Sequence, residues 1–444
     1  MQRLKCCHQE YEWGKLGAES SVGTIVRTGQ HFDGRKKECN EFNPEKPYAE
    51  LWMGTHQNGP SFIYNEKTGE VASSLKDFLQ KNENDGYDLP FLFKCLSVRK
   101  ALSIQTHPTK EQAKVLHARD PKNYPDNNHK PEMAIAVTEF EVLCGFAPWE
   151  EISANLKAFP EVRKLSGDHP NENKEQELSE MFSSIWKSPP AEISACVQSI
   201  IARISSKGEQ SDLEKLMIRL NGQFPGGDVG VLAPIFLNHL VLKPGESVYL
   251  GANVPHAYLF GDCMECMACS DNTIRAGLTP KFKDVDTLCS AMNWSMGAPP
   301  FVNPAVEPVH DSARRLYAIV GQNEFMIRKW EPALSAHKES AYVYHPATGT
   351  NSIWVVLRGS GTFVQDGEHD DISVKAGDVI LKPTSSEAVL LANPNFLAYS
   401  ALVPNSEKPS EVWESPRMQQ LAAKVQKTFE TLYPSQILPN LSEL

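Results

Sequence analysis

No run of apolar residues in this 444-residue chain reaches the ~18 needed to cross a bilayer. The greasiest stretch, Ala233 to Leu242, is short enough for a buried strand or helix. Cysteine is sparse. Ten residues are far below a disulfide scaffold and ordinary for a reduced protein. Met1 to Gly17 carries charges and a Cys-Cys pair but no apolar core, so no secretory signal is expected and a cytoplasmic location is. Basic residues are outnumbered, 44 Lys and Arg against 55 Asp and Glu, for a net charge of -11. That is the wrong sign for most nucleic-acid binders. Neither a nucleic acid nor a membrane is expected as a partner. An anionic ligand would need local lysines and arginines to overcome the global field.

What the chain does have is 41% hydrophobic and 22% charged residues, enough to build two or three soluble domains. Residues 1–147 read as strands and turns. Ser61-Phe-Ile-Tyr64, Phe91-Leu-Phe-Lys-Cys-Leu96 and Met133-Ala-Ile-Ala-Val137 are short, apolar and bounded by turn residues. Thr109-Lys-Glu-Gln112 has the form of a capping box and predicts a short helix to Arg119. Residues 148–229 read as helices, with Leu178/Met181/Ile185, Ile193/Val197/Ile200/Ile204 and Leu213/Leu216/Met217/Leu220 each on one face. This is a helical insertion with no chemical motif, suited to packing. Strands return after Gly230. Lys243-Pro-Gly-Glu246 and Lys375-Ala-Gly-Asp378 look like one element used twice, as alternating strands and glycine turns in jelly rolls would require. The second copy has Ser386 and Glu387 near where the first has His256, so residues 301–444 read as a metal-free duplicate.

Gln105 and His107 stand at i and i+2, and Lys130 and Glu132 repeat that spacing. On strands, each pair would leave one face. With His256 downstream, Gln105, His107 and Glu132 offer two nitrogens and two oxygens, a plausible shell for a divalent metal. Thirteen histidines also guarantee some near-matches, and spacing alone leaves scattered barrel residues as an equal reading. Ser103 lies two before Gln105, either lining the same pocket or packing in the core. Arg275 and Lys281 are six apart and could share a cleft wall, where an arginine fork suits phosphate. Cys263, Cys266 and Cys269 are three apart, which on a strand alternates faces, so buried free thiols are expected rather than a metal cluster.

Several motifs stand together in one order. They are Phe91-Leu-Phe-Lys94, Leu102-Ser-Ile-Gln-Thr-His-Pro108, Asn128-His-Lys-Pro-Glu-Met-Ala-Ile-Ala136, Ala252-Asn-Val-Pro-His-Ala-Tyr258 and Ser270-Asp-Asn-Thr-Ile-Arg-Ala-Gly-Leu-Thr-Pro-Lys281. Tyr11-Glu-Trp-Gly-Lys15 and Pro47-Tyr-Ala-Glu-Leu-Trp-Met-Gly54 precede them. The set resembles the type I mannose-6-phosphate isomerase family from about residue 11 to 295, thinning through the helical insertion. Thr106 stands where many members have Ala; its side chain should point to the face opposite Gln105.

The resemblance implies a mainly β fold with a helical insertion: duplicated cupin, or jelly-roll, barrels plus an α-helical domain. The catalytic domain would be 1–147 with 230–300, the insertion 148–229, and the C-terminal jelly-roll 301–444. It implies one Zn2+ per chain on Gln105, His107, Glu132 and His256. Arg275, Glu265 and Lys130 would be catalytic. Trp13, Lys94, Ser103, Tyr258 and Lys281 would line a pocket for a hexose 6-phosphate in a monomer. The activity implied is interconversion of mannose 6-phosphate and fructose 6-phosphate, supplying mannose for GDP-mannose and glycan synthesis. Such an isomerisation passes through an enediolate, whose charge a zinc ion and a guanidinium would stabilise. Glu265, Lys130 and a metal-bound water are open candidates for the base. Arg275 could instead hold phosphate. An iron-dependent oxygenase and a non-catalytic sugar-binding protein are the rival classes; Gln105 and the Lys/Arg-rich pocket favour zinc and a phosphorylated substrate.

Overall fold

The structure is a computed structural model that describes residues 1–29, 31–33, 42–65, 68–83, 87–309, 312–319, 321–332, 342–344, 350–367, 370–384, 386–404 and 416–434. The chain divides into two compact units, Met1–Leu96 with Val302–Leu444, and Ser97–Phe301. These units run across the segments expected from sequence, because the N-terminal strands belong with the C-terminal sheet.

In the unit Ser97–Phe301, the long strand His256–Ala268 is the organiser. Its first part pairs with Phe140–Phe146, which pairs in turn with Leu237–Leu242. Its second part pairs with Glu132–Ala136, which pairs with Ser247–Leu250. The change of partner falls at Gly261, whose φ is 108°. A Cβ there would lie 2.1 Å from the Glu139 carbonyl oxygen, so only glycine fits. The short strand Ile104–Thr106 lies between His256 and the strand Ile274–Gly277, setting Gln105 opposite both His256 and Arg275.

Strand periodicity then separates two faces. Ile104, Ala257, Leu259, Ile274 and Ala276 join one apolar core with the helical insertion. Gln105, His256, Tyr258 and Arg275, one residue out of phase, face the other way. The insertion forms as its apolar spacing predicts: helices span Lys174–Lys187, Pro190–Ser205 and Asp212–Gln223. Their buried faces carry the expected Leu178, Met181 and Ile185, then Ile193, Val197, Ile200 and Ile204, then Leu216, Met217 and Leu220. Leu213 is partly buried against the same core. Ser211 and Glu214 close a capping box at the start of the third. Phe182 stacks on Trp186 at 3.6 Å and meets Phe146 and Phe236 edge-on. Burial of a side chain such as Phe182 contributes roughly 2 kcal/mol. Trp186 also donates its indole N–H to the Ala276 carbonyl at 3.0 Å, directly behind Arg275. The capping box at Thr109 forms as expected and starts the helix Lys110–Arg119.

In the other unit, strands Gln2–Lys5, Phe62–Asn65 and Glu70–Ser74 extend a nine-stranded sheet built otherwise from C-terminal strands. Gln2–Lys5 pairs with Val379–Lys382 on one side and Phe62–Asn65 on the other. A four-stranded sheet includes Ser360–Gln365 and Ala388–Ala392. The interior holds stacked Trp330 and Trp354, with their indole N–H groups on Ser400 and Ser352. Helix Pro416–Leu432 packs Met418, Leu421, Val425 and Phe429 on Val364, Val389 and Leu391. The architecture is mainly β with a helical insertion, as expected. Among the described residues the strand pairings form open sheets and no closed barrel.

The element used twice is one turn in both places. Gly245 and Gly377 have φ of 90° and 95°. Glu246 and Asp378 carboxylates accept the backbone N–H of Lys243 and Lys375 at 2.8 and 2.9 Å. A strand follows each, Ser247–Leu250 and Val379–Lys382.

Gly261→Ala should destabilise the protein by about 3 kcal/mol, from the left-handed backbone and the carbonyl clash together. Urea unfolding of the two proteins checks this.

Candidate active site

Four segments converge where the sheet face turns away from the insertion. His107 follows the strand Ile104–Thr106 rather than continuing it, and Lys130 precedes the strand that Glu132 begins. One member of each expected i, i+2 pair thus lies just outside its strand, and Lys130 Nζ still comes within 2.8 Å of Glu132 Oε1. The side chains meet all the same. One ligand atom each from His107, Glu132 and His256 lies within 4.8 Å of the others, and all three residues are buried. Glu132 Oε1 is 3.3 Å from His107 Nε2, and Oε2 is 3.4 Å from His256 Nε2.

Backbone carbonyls fix both imidazoles. His107 Nδ1 donates to the Asn272 carbonyl at 2.8 Å, and His256 Nδ1 to the Val254 carbonyl at 2.9 Å. That leaves each Nε2 with its lone pair aimed inward. The two segments are held together by Asn253, which has φ of 63° and donates its N–H to the His107 carbonyl at 2.7 Å. Among the described residues, both Nε2 atoms and Glu132 Oε2 are buried without a hydrogen-bond partner. Three orphaned acceptors around one point are costly unless something positive sits there. The donor set, two imidazoles and a carboxylate, fits zinc. Gln105, opposite His256 in register, shares their face as a further oxygen donor.

Charge sharpens this picture. Burial alone would raise the Glu132 carboxyl, but the Lys130 ammonium 2.8 Å away holds it well below the usual carboxylate range. Burial, aided by the Lys130 charge, lowers His107 to about 4, so its ring stays neutral and ligating near pH 7.

Around this centre the other expected residues fall in three classes. Tyr258 and Glu265 meet because the strand changes direction at Gly261. The Tyr258 hydroxyl donates to Glu265 Oε1 at 2.9 Å. Burial first, then the Glu265 and Glu132 charges, raise the phenol well above its usual range, so it stays a donor. Arg275 is partly buried and opposite Gln105; burial lowers its pKa from the ordinary value, against the opposing effect of Tyr124. Ser103 is partly buried, just before the strand of Gln105. Lys281 is exposed in a turn. Lys94 and Trp13 lie in the other unit. Lys94 is buried there against Glu50 at 3.3 Å and over the Trp52 ring, and Trp13 packs on Tyr11. Cys263 and Cys266 are buried, Cys269 is partly so, and all three are free thiols, as expected. Sequence reasoning missed Asp126 and Asn272, whose side chains knit the loops behind His107. Their signal was the Asp/Asn density of the two motif loops.

A family model described as phosphomannose isomerase type I, catalytic domain, matches residues 1–149. One described as the helical insertion domain of that family matches residues 153–237. Mannose-6-phosphate isomerase 1 of Arabidopsis thaliana is 35% identical over 424 residues, covering 90% of this chain and 93% of the plant protein. The probable mannose-6-phosphate isomerase of Caenorhabditis elegans is 38% identical over 418 residues, covering 91% of this chain and 96% of its own. Among solved structures, a mannose 6-phosphate isomerase bound with zinc and yttrium aligns with a TM-score of 0.74 at 26% identity, over 91% of this chain and 99% of that one.

Glu132→Gln removes the one charge that faces both imidazoles. Zinc retained after dialysis should fall from one per chain to below about a tenth, since a neutral amide is a far weaker ligand. Elemental analysis reads this, and equal retention would contradict the shell.

Proposed function

Because the chain belongs to the type I phosphomannose isomerase family, we propose that it is a zinc enzyme interconverting mannose 6-phosphate and fructose 6-phosphate. The carrying observation is the buried convergence of His107, Glu132 and His256 with both Nε2 atoms unpaired. Gln105 would complete the shell. When bound, zinc would polarise the sugar O1 and O2.

The reaction moves a proton between C1 and C2, and charge grows on the two oxygens. Arg275, on the same sheet face as Gln105, supplies a guanidinium to that charge or to the phosphate. Glu265, positioned by the Tyr258 hydroxyl, is the candidate proton acceptor. Lys130, paired as an ammonium with Glu132, keeps the metal-facing carboxylate ionised and suits proton donation. Trp13, Lys94, Ser103, Tyr258 and Lys281 are assigned to substrate binding on the strength of the family motifs that contain them.

We assign 1–147 with 230–300 to the catalytic portion, 148–229 to the insertion and 301–444 to a metal-free jelly-roll. The break between the two family matches, at 149 and 153, supports the first boundary. The proposed setting is a cytoplasmic monomer whose product supplies GDP-mannose and glycan synthesis. In keeping with it, no helix among the described residues is long and apolar enough to cross a membrane.

Fructose 6-phosphate should form from mannose 6-phosphate, cease with a chelator and return with zinc. Arg275→Ala should lower kcat by about a hundredfold or more while zinc content holds. Absence of turnover in protein carrying one zinc per chain would overturn the assignment.

A further inference from the structure

The Asn272 carbonyl that orients His107 is itself held by side chains. Asn272 is fully buried, and its Nδ2 lies 2.7 Å from the Asp126 carbonyl, 3.0 Å from Asp126 Oδ1 and 2.9 Å from the Asn128 carbonyl. Asp126 answers with both oxygens. Oδ1 accepts from the Ser270 hydroxyl at 2.8 Å and the Asn128 N–H at 2.9 Å, and Oδ2 accepts the Asp271 N–H at 2.8 Å. Asn128 closes the knot by donating its side-chain amide to the Cys269 carbonyl at 3.0 Å.

Two loops are thus tied into one body, and each runs straight into the site. From Asn128 the chain reaches Lys130 in two residues and Glu132 in four. From Asn272 it reaches Arg275 in three. The contact from this knot to an imidazole is the Asn272 carbonyl, through His107 Nδ1–H. An imidazole ligates well only when its other nitrogen is held, because that bond sets both tautomer and ring plane.

We propose that Asp126 and Asn272 are positioning residues: together they fix the Asn272 carbonyl, hence the ring of His107, and register the Glu132 strand against it. This rests on the reading that His107, Glu132 and His256 hold zinc. Their side chains are taken up by contacts within the loops, so the effect should appear first in metal affinity.

The test measures zinc affinity by competition with a chromophoric chelator, and the visible spectrum after cobalt substitution. The proteins are wild type, Asp126→Ala, Asn272→Ala and a control, Leu216→Ala. Leu216 is buried in the insertion core and makes none of the knot's hydrogen bonds, so its variant loosens the unit and leaves those bonds in place. Asp126→Ala and Asn272→Ala should bind zinc about tenfold to a hundredfold more weakly. Their cobalt spectra should shift, and Leu216→Ala should match wild type in both readouts. If Asp126→Ala does not fold, Asp126→Asn serves. It keeps an acceptor for Ser270 but loses the Asp271 contact, so its loss should be smaller but measurable. Wild-type zinc affinity in the folded knot variants would overturn the inference, as would an equal loss in Leu216→Ala. A wild-type chain that binds no zinc would instead sink the metal reading beneath it.

Discussion

A carboxylate buried between a lysine and two imidazoles governs this protein. Glu132 is 1% exposed, and an isolated charge there would cost several kcal/mol. Lys130 makes it tolerable on one side, and a divalent cation between it and the two imidazoles would complete the balance. Every nearby device serves that arrangement. His107 lies just past the strand Ile104–Thr106 and Lys130 just before Glu132–Ala136. Asn253 takes a left-handed backbone to bring the His256 segment onto the His107 segment. Backbone carbonyls take the outward nitrogens so that the inward ones remain acceptors.

The sheet makes this possible by a simple alternation. Along Ile104–Thr106, His256–Ala268 and Ile274–Gly277, one set of side chains enters the aromatic core of the insertion and the other set faces the reaction space. The insertion carries no chemical group of its own, yet Trp186 bonds the carbonyl beside Arg275. Its contribution is a rigid backing for polar side chains that would otherwise relax. A site built on packed strands holds its geometry better than one built on loops.

Much of this was legible in the residues, and what was missed has a common cause. The insertion helices announce themselves by apolar spacing and by the Ser211 cap. The repeated lysine-glycine-acid turn is readable because one glycine conformation and one carboxylate contact define it locally. Gln105, His107, Glu132 and His256 were readable as residue types, and all but His107 stand on strands. The pairing of Gln2–Lys5 with Val379–Lys382 leaves no local pattern, so no sequence reading could have found it. The Asn272 carbonyl was invisible too, since a backbone oxygen has no letter of its own. Lys281, read as a pocket residue from its motif, is exposed, so its assignment rests on the motif alone.

X-ray absorption on the zinc-loaded protein reads the shell around Glu132 directly. An all nitrogen and oxygen shell at about 2.0–2.2 Å with the multiple scattering of two imidazoles is expected. His107→Ala should reduce that to one imidazole. Sulfur at about 2.3 Å, or a two-imidazole pattern that survives His107→Ala, would contradict it.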